Sequence, residues 1–296
     1  MTVFEDKVKI GNGETLFYRK AGEGDKTLLL IHGNMSSSRH WEPLIKMLPP
    51  GYSIYAVDMR GFGDSSYNQP INTLADFSED LAMFARQLGL KKFIPVGWST
   101  GGGVAMQMAA EHPDMVQKLV LIESVSYRGL PIFKKDQNGQ PLVGQYYLSK
   151  EEMAADPVQV APVAKAFEEG NIDFIKYLWD EVIYVVNKPE PEENKEYMAA
   201  TMKQRNLVEV DWALTSFNLS HSHNGVAEGS GLVDKINCPV LAFWGDHDLV
   251  ITREMVEETV EAIGEKARMV VLENCGHSPL VDAPDKLSHE IINFTR

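Results

Sequence analysis

At 296 residues and 33.1 kDa the chain is long enough for one large α/β domain, or for a core with an insertion, and it can bury a sizeable apolar core. Forty-two acidic against 28 basic residues give a net charge of −14, which opposes binding to nucleic acid or to an anionic membrane. Met1 to Lys7 lack the basic start and apolar stretch of a signal peptide, no apolar run reaches the ~18 residues of a membrane helix, and Cys238 and Cys275 are too few for a disulfide framework, so a reduced, cytoplasmic protein is expected.

Val3 to Ile10 and Glu14 to Lys20 alternate apolar and polar residues around Gly11-Asn12-Gly13 and predict a β-hairpin. Thr27 to Ile31 is a continuous apolar run, a buried strand, that ends in His32-Gly33-Asn34-Met35; Trp41, Leu44, Ile45 and Leu48 recur after it at helical spacing. Tyr52 to Val57 predicts a further strand, closed by Asp58-Met59-Arg60-Gly61-Phe62-Gly63-Asp64-Ser65. Leu74, Phe77, Leu81, Phe84 and Leu88 mark one face of a helix that Thr73 caps and Gly89 stops. Phe93 to Trp98 and Leu119 to Ile122 are two more strands, separated by a helix rich in small residues that ends near His112-Pro113. Strands alternating with helices at this length require a parallel sheet covered on both faces.

That alternation lapses at about Ser124 and resumes at about Val240. Between them the pattern predicts a Gly/Pro-punctuated loop, including Lys134 to Gly139, and then helices starting near Asp156-Pro157 and Asn171, with Pro189-Glu190-Pro191 separating two more. Gly229-Ser230-Gly231 closes the insertion. Val240 to Trp244 then reads as strand, Thr252 to Ile263 as a capped helix, Arg268 to Leu272 as strand and Pro284 to Phe294 as the last helix. The expected organisation is a core in two halves, residues 1–123 and 226–296, with a helical cap, 124–225, inserted between them. Trp179, Trp212 and Phe217 are candidates for an apolar pocket wall in that cap, their alternative being its ordinary core.

Gly97-Trp98-Ser99-Thr100-Gly101 fits G-x-S-x-G, a nucleophile elbow in which a sharp strand-to-helix turn lifts a serine hydroxyl clear of the sheet. Glycine at both ends suits a turn where side chains would collide. A serine hydroxyl needs a base, and the base needs an acid to fix its tautomer. Asn274-Cys275-Gly276-His277-Ser278-Pro279 follows the last strand and Gly245-Asp246-His247-Asp248 the strand before it, which supplies both in the chain order Ser, Asp, His. Asp246 is a rival to Asp248. Glu123 is another candidate acid, its alternative being a pocket-rim or helix-capping carboxylate. His221 and His223 form an H-x-H that zinc would use only with Asp246, His247 or Asp248, and no metal site is expected.

Together these pieces resemble the α/β-hydrolase superfamily over essentially the whole chain, in its serine esterase and lipase-like branch with a helical cap. The resemblance implies an α/β fold with a mostly parallel sheet and helices on both faces. It implies Ser99 as nucleophile, His277 as base, Asp248 as triad acid, and an oxyanion hole from the backbone N–H groups of Asn34 and Thr100, with Met35 the fallback for Asn34. His32 is expected to order the oxyanion loop, Arg60 to brace loops, and Trp98 to pack beneath or beside the pocket. Serine at the elbow separates the chain from related dehalogenases and epoxide hydrolases, which use aspartate there. The expected activity is hydrolysis of a carboxylic ester or lactone through an acyl-enzyme, with no metal or organic cofactor. Tyr127 to Pro131 and Lys134 to Pro141 resemble the lid of intracellular depolymerase-type hydrolases that act on polyhydroxybutyrate or its oligomers. A carbon–carbon bond hydrolase, a perhydrolase and a hydrolase-like ligand receptor are the competing readings, since fold and triad do not fix the substrate.

Overall fold

The computed structural model describes residues 1–296. Strands β1 (Val3–Lys9) and β2 (Thr15–Ala21) form the opening antiparallel hairpin. They are followed by β3 (Lys26–Ile31), a 3-10 turn running into helix α1 (Glu42–Met47), and β4 (Tyr52–Val57). Helix α2 (Leu74–Gln87) begins on a capping box between Thr73 and Asp76, and Gly89 follows its end with a left-handed φ of 71°. Then come β5 (Ile94–Trp98), α3 (Thr100–Glu111) and β6 (Leu119–Ile122).

The insertion opens with a hairpin, β7 (Phe133–Lys135) and β8 (Pro141–Tyr146), and continues as α4 (Lys150–Ala154), α5 (Ala161–Glu168), α6 (Ile172–Val182), α7 (Pro191–Thr201) and α8 (Leu207–Ser216). The core resumes with β9 (Val240–Gly245), α9 (Arg253–Ile263), β10 (Ala267–Leu272), α10 (Pro279–Asp282) and α11 (Pro284–Thr295). No helix is long and apolar enough to cross a membrane.

The main sheet runs β1-β2-β4-β3-β5-β6-β9-β10, antiparallel at its first two pairings and parallel from β4 onward. Alternation along the strands divides the core between two faces. Leu29 and Ile31 of β3 join a cluster of 38 buried residues with α2, α3 and α9, whereas Leu28 and Leu30 join one of 30 with α1 and α11. From β3 the chain winds first to β4 on one side and then to β5 on the other. The carboxyl ends of β3 and β5 therefore flank a topological switch point, where open α/β sheets form their ligand crevice.

The insertion differs from its sequence reading in two places. The predicted loop around Lys134 to Gly139 is the β7–β8 hairpin, its turn held by Asp136, whose carboxylate accepts the N–H groups of Asn138 and Gln140 at 2.8 and 2.9 Å. Asp136-Gln137-Asn138-Gly139 is a hairpin turn flanked by strands too short and too exposed to show a period-2 pattern. Asp156 does not cap a helix. Its Oδ1 accepts the N–H groups of Val158 and Gln159 at 2.9 and 2.5 Å and so caps a turn over 157–160, while its buried Oδ2 accepts the Tyr147 hydroxyl at 2.8 Å and Lys135 at 3.2 Å; α5 starts after that turn, at Ala161. Asn171 does cap α6, accepting the Phe174 N–H at 3.1 Å, and Pro191 opens α7.

Candidate active site

Ser99 sits between β5 and α3 with φ 55° and ψ −119°, a left-handed conformation forced by the tightness of the turn. A Cβ at Gly97 would lie 2.2 Å from the Gly101 carbonyl oxygen, and one at Gly101 would lie 2.1 Å from that of Ile31, so neither position has room for a side chain. The elbow is anchored to β6 by the Ser99 N–H, which donates to the Ile122 carbonyl at 2.9 Å.

His277 reaches the site on the loop after β10. Its backbone oxygen accepts the Trp98 indole N–H at 2.7 Å, which locks the histidine loop onto the residue preceding Ser99. Its Nδ1 lies 2.8 Å from Asp248 Oδ2, and both side chains are almost wholly buried. The other Asp248 oxygen accepts the N–H groups of Val250 and Ile251 at 2.7 and 3.0 Å. Burial opposes the charge on Asp248, yet His277, Glu123 and the Ile251 N–H outweigh it and hold the carboxyl below its ordinary range. Asp246 points elsewhere: it pairs with the exposed His247 at 2.7 Å and accepts the Cys275 N–H at 3.2 Å. Of the two aspartates, Asp248 is the one beside His277.

The His32-Gly33-Asn34-Met35 loop packs on the elbow; a Cβ at Gly33 would come within 2.9 Å of Ser99 Cβ. Buried His32 accepts the Met59 N–H on Nε2 at 3.1 Å, and its Nδ1 lies 2.8 Å from the Gly33 carbonyl, so the neutral ring ties β3 to β4. Burial lowers its pKa. The Asn34 N–H donates to Thr100 Oγ1 at 3.2 Å. The Met35 N–H is engaged by Gln204 Oε1 at 2.9 Å and by Asn34 Oδ1 at 3.0 Å. Arg60 forms a buried bidentate pair with Asp80, at 2.7 and 3.0 Å, and donates to the Gln69 carbonyl, bracing the loop after β4.

Three polar groups here were not singled out, or not placed, by sequence. Gln204 and Asp211 come from the insertion: Gln204 Nε2 donates to Asn34 Oδ1 at 2.7 Å, and Asn34 Nδ2 to Asp211 Oδ1 at 2.8 Å. Burial pushes Asp211 up to about 7, against the pull of the Asn34 hydrogen bond. Both lie in lid segments whose sequence carries no site motif. Glu123 is neither a rim nor a capping residue. It is wholly buried behind Asp248 with φ 42°, and its Oε2 accepts the Gly245 N–H at 3.0 Å.

The pocket-wall candidates separate. Trp179 packs on the site's own aromatic cluster, edge-on to Trp98 at 6.2 Å and stacked on His40 at 5.1 Å. Trp212 packs against the insertion's small cluster of Ile132, Tyr147, Met153 and Val160. Phe217 belongs to the main core beside α3, not to a pocket wall. His221 pairs with Asp234 and the His223 ring accepts the Gly225 N–H, so the H-x-H pair diverges on an exposed loop, far in partners from Asp248.

The α/β hydrolase fold family model matches residues 26–284. The chain belongs to that family. Along nearly its whole length this α/β hydrolase is similar to proteins named as ester hydrolases. It is 28% identical over 287 residues to Lipase 1 of Psychrobacter immobilis, covering 94% of this chain and 79% of that one. It is 23% identical over 286 residues to the pimeloyl-acyl-carrier-protein methyl ester esterase of Vibrio vulnificus, covering 94% and 97%. The structure of an esterase from Exiguobacterium antarcticum superposes with a TM-score of 0.76 at 19% identity over 99% of both chains, a likeness of fold. The chain is a hydrolase of the esterase and lipase kind.

Proposed function

We propose that the protein is a carboxylic-ester hydrolase in which Ser99, His277 and Asp248 form the catalytic triad. The observation that carries this reading is the buried 2.8 Å contact between His277 Nδ1 and Asp248 Oδ2, on a loop fastened to the elbow that presents Ser99. Asp248 fixes the tautomer with the proton on Nδ1, leaving Nε2 as the base. Ser99 Oγ attacks the ester carbonyl carbon as its proton passes to Nε2. The tetrahedral oxyanion is met by the N–H of Thr100, at the first position of α3 where no intrahelical partner exists, and by that of Asn34. Asn34 is favoured over Met35 because the Met35 N–H already has two acceptors, whereas that of Asn34 gives up only a 3.2 Å bond to Thr100 Oγ1. Collapse breaks the bond to the alkoxide oxygen, which takes the proton from His277. Water then hydrolyses the acyl-enzyme by the same steps.

The insertion, taken as residues 124–225, is proposed to supply specificity. Hydroxybutyrate-type esters or oligomers are the substrate class we favour. The lid segments around Tyr127 and Lys134 support that choice, as does Asp211, whose Oδ2 has no partner within the chain and would hydrogen-bond a hydroxyl on an acyl group.

The test is hydrolysis of a p-nitrophenyl ester series of increasing acyl length, with lactones and matched butyrate and 3-hydroxybutyrate esters alongside, in wild type and Ser99→Ala. Expected is serine-dependent turnover that falls by at least ~10³-fold in the variant, with a preference for the hydroxylated acyl group. Equal inactivity of both proteins on every ester would sink the reading and turn attention to carbon–carbon hydrolase, perhydrolase or receptor assays.

A further inference from the structure

Behind the triad acid lies a second carboxyl group that the reaction as described leaves unused. Glu123 follows β6, is 0% exposed, and adopts a left-handed φ of 42° that aims its side chain back under the loop after β9. One oxygen, Oε2, accepts the Gly245 N–H at 3.0 Å. The other, Oε1, is buried and accepts no donor from the chain. Gly245 opens the loop that carries Asp248, whose N–H donates back to the Gly245 carbonyl at 3.1 Å, so the glutamate lies under the turn that presents Asp248, and that carboxylate, itself an acceptor, is the charged group that bears most on it. Two carboxylates cannot share a dry site with both charges intact, so one proton must lie between them.

Its location follows from the donors on each side. Asp248 has His277 at 2.8 Å and the N–H groups of Val250 and Ile251, all of which favour its ionised form. Glu123 has a single backbone N–H and no cation. The other titratable groups facing this pair make its ionisation harder still: Asp282 of α10 bears on Glu123, and the Cys275 thiol, next to the His277 loop, is itself driven upward by burial and by the surrounding carboxylates. Burial, Asp248 and Asp282 act on Glu123 in the same direction, raising its pKa well above the ordinary carboxyl range.

We propose that Glu123 is a positioning residue, held as a neutral carboxylic acid whose hydroxyl donates to Asp248 while its carbonyl oxygen accepts from Gly245. It acts through Asp248, fixing that carboxylate from the side opposite His277 and spreading its charge. The inference rests on the reading of Asp248 and His277 as triad partners. It carries a specific consequence: the glutamate charge is never used, so an amide, which can both accept from Gly245 and donate to Asp248, replaces it, while an apolar side chain does not.

Two measurements test it. In wild-type enzyme labelled with ¹³C at the glutamate side-chain carboxyl, the resonance missing from Glu123→Gln should stay at the protonated position while the other glutamates titrate at about pH 4 to 5. Titration of that resonance with the rest would overturn the proposal, whatever the enzyme's substrate. In kinetics, Glu123→Leu is expected to lower kcat about ten- to a hundredfold, the loss of a hydrogen bond to a charged group, with little change in KM, and Glu123→Gln to restore it to within about threefold. The acidic limb of the kcat/KM profile should match wild type in Glu123→Gln and move to higher pH in Glu123→Leu. A glutamine variant as impaired as leucine, or one whose acidic limb drops by about a unit as a lost negative charge would cause, would overturn it as well. Absence of serine-dependent turnover in wild type would instead count against the triad reading and leave the carboxyl resonance to decide the protonation of Glu123.

Discussion

Met35, Ser99, Glu123 and Asn274 are the four residues other than glycine with positive φ, at 53°, 55°, 42° and 52°. Each stands just beyond the carboxyl end of a different strand, β3, β5, β6 and β10, so the backbone strain of the molecule is gathered around one crevice. Such conformations cost about 1–3 kcal/mol each and persist only where the surroundings dictate them. Ser99 gives a direct measure. Ser99→Gly and Ser99→Ala both remove the hydroxyl, but only glycine relieves the backbone, so Ser99→Gly should be the more stable by about 1–2 kcal/mol in denaturant unfolding. Equal stabilities would mean that the turn is not strained. The neighbouring carboxylates supply a second contrast. Asp248→Asn removes the partner of His277 Nδ1 and is expected to lower kcat by about 10³- to 10⁴-fold. Asp246→Asn, two residues earlier, touches exposed His247 and backbone N–H groups of the loop after β10, not the His277 ring, and should leave kcat within about threefold of wild type. Reversed effects in this pair would refute the triad assignment. Sequence could rank these two aspartates only by family pattern, because both lie on one loop; which of them faces His277 depends on the β9–β10 register that joins the two loops.

Elements far apart in the chain meet at the His32 to Met35 loop, and that meeting was not legible in the sequence. The strands and flanking helices of the core were, because continuous apolar runs and stripes such as Leu74, Phe77 and Leu81 carry their own period. The α7–α8 connection has no such signal. It nevertheless clamps the loops after β3 and β4: Thr201 donates to the Met35 carbonyl at 2.9 Å, Asn206 to that of Arg60 at 2.8 Å, and Asp211 of α8 accepts from Asn34. The price of one clamp is pH-dependent. With its pKa pushed up to about 7 by burial, Asp211 holds its proton more firmly in the folded than in the unfolded chain, where it titrates near 4. Stability contributed by the neutral carboxyl is therefore complete below about pH 4 and lost as pH rises through 7. Asp211→Asn keeps the acceptor for Asn34 and never ionises. Its stability relative to wild type should be unchanged at acid pH and grow to about 1–3 kcal/mol above pH 8, allowing for partial solvent screening. A difference independent of pH would show that Asp211 ionises as freely in the fold as out of it.

At the scale of the whole molecule, the insertion is held to the core in two different ways. Its second part is fused to both faces of the sheet: Val210, Ala213 and Leu214 of α8 lie in one main cluster, while Ile175, Trp179, Tyr197 and Met198 of α6 and α7 lie in the other. Its first part is held differently. The β7–β8 hairpin and α4 contribute only Met153 and the flanking Ile132 and Tyr147 to a separate cluster of four buried residues, and leave Val143 and Leu148 at 80% and 74% exposure. Local stability follows buried apolar contact, so residues 133–154 should open at a far lower free energy than β3 or β5. Hydrogen exchange is expected to run fastest in that segment, and limited proteolysis to cut first at the exposed turn of Asp136 to Gly139. Because the contacts that clamp Asn34 and Met35 come from the fused part, the nicked enzyme should still label at Ser99 with a fluorophosphonate at close to the intact rate, while its preference among acyl chain lengths changes. Loss of labelling on nicking would show instead that the hairpin supports the triad, and that the insertion opens and closes as a single body.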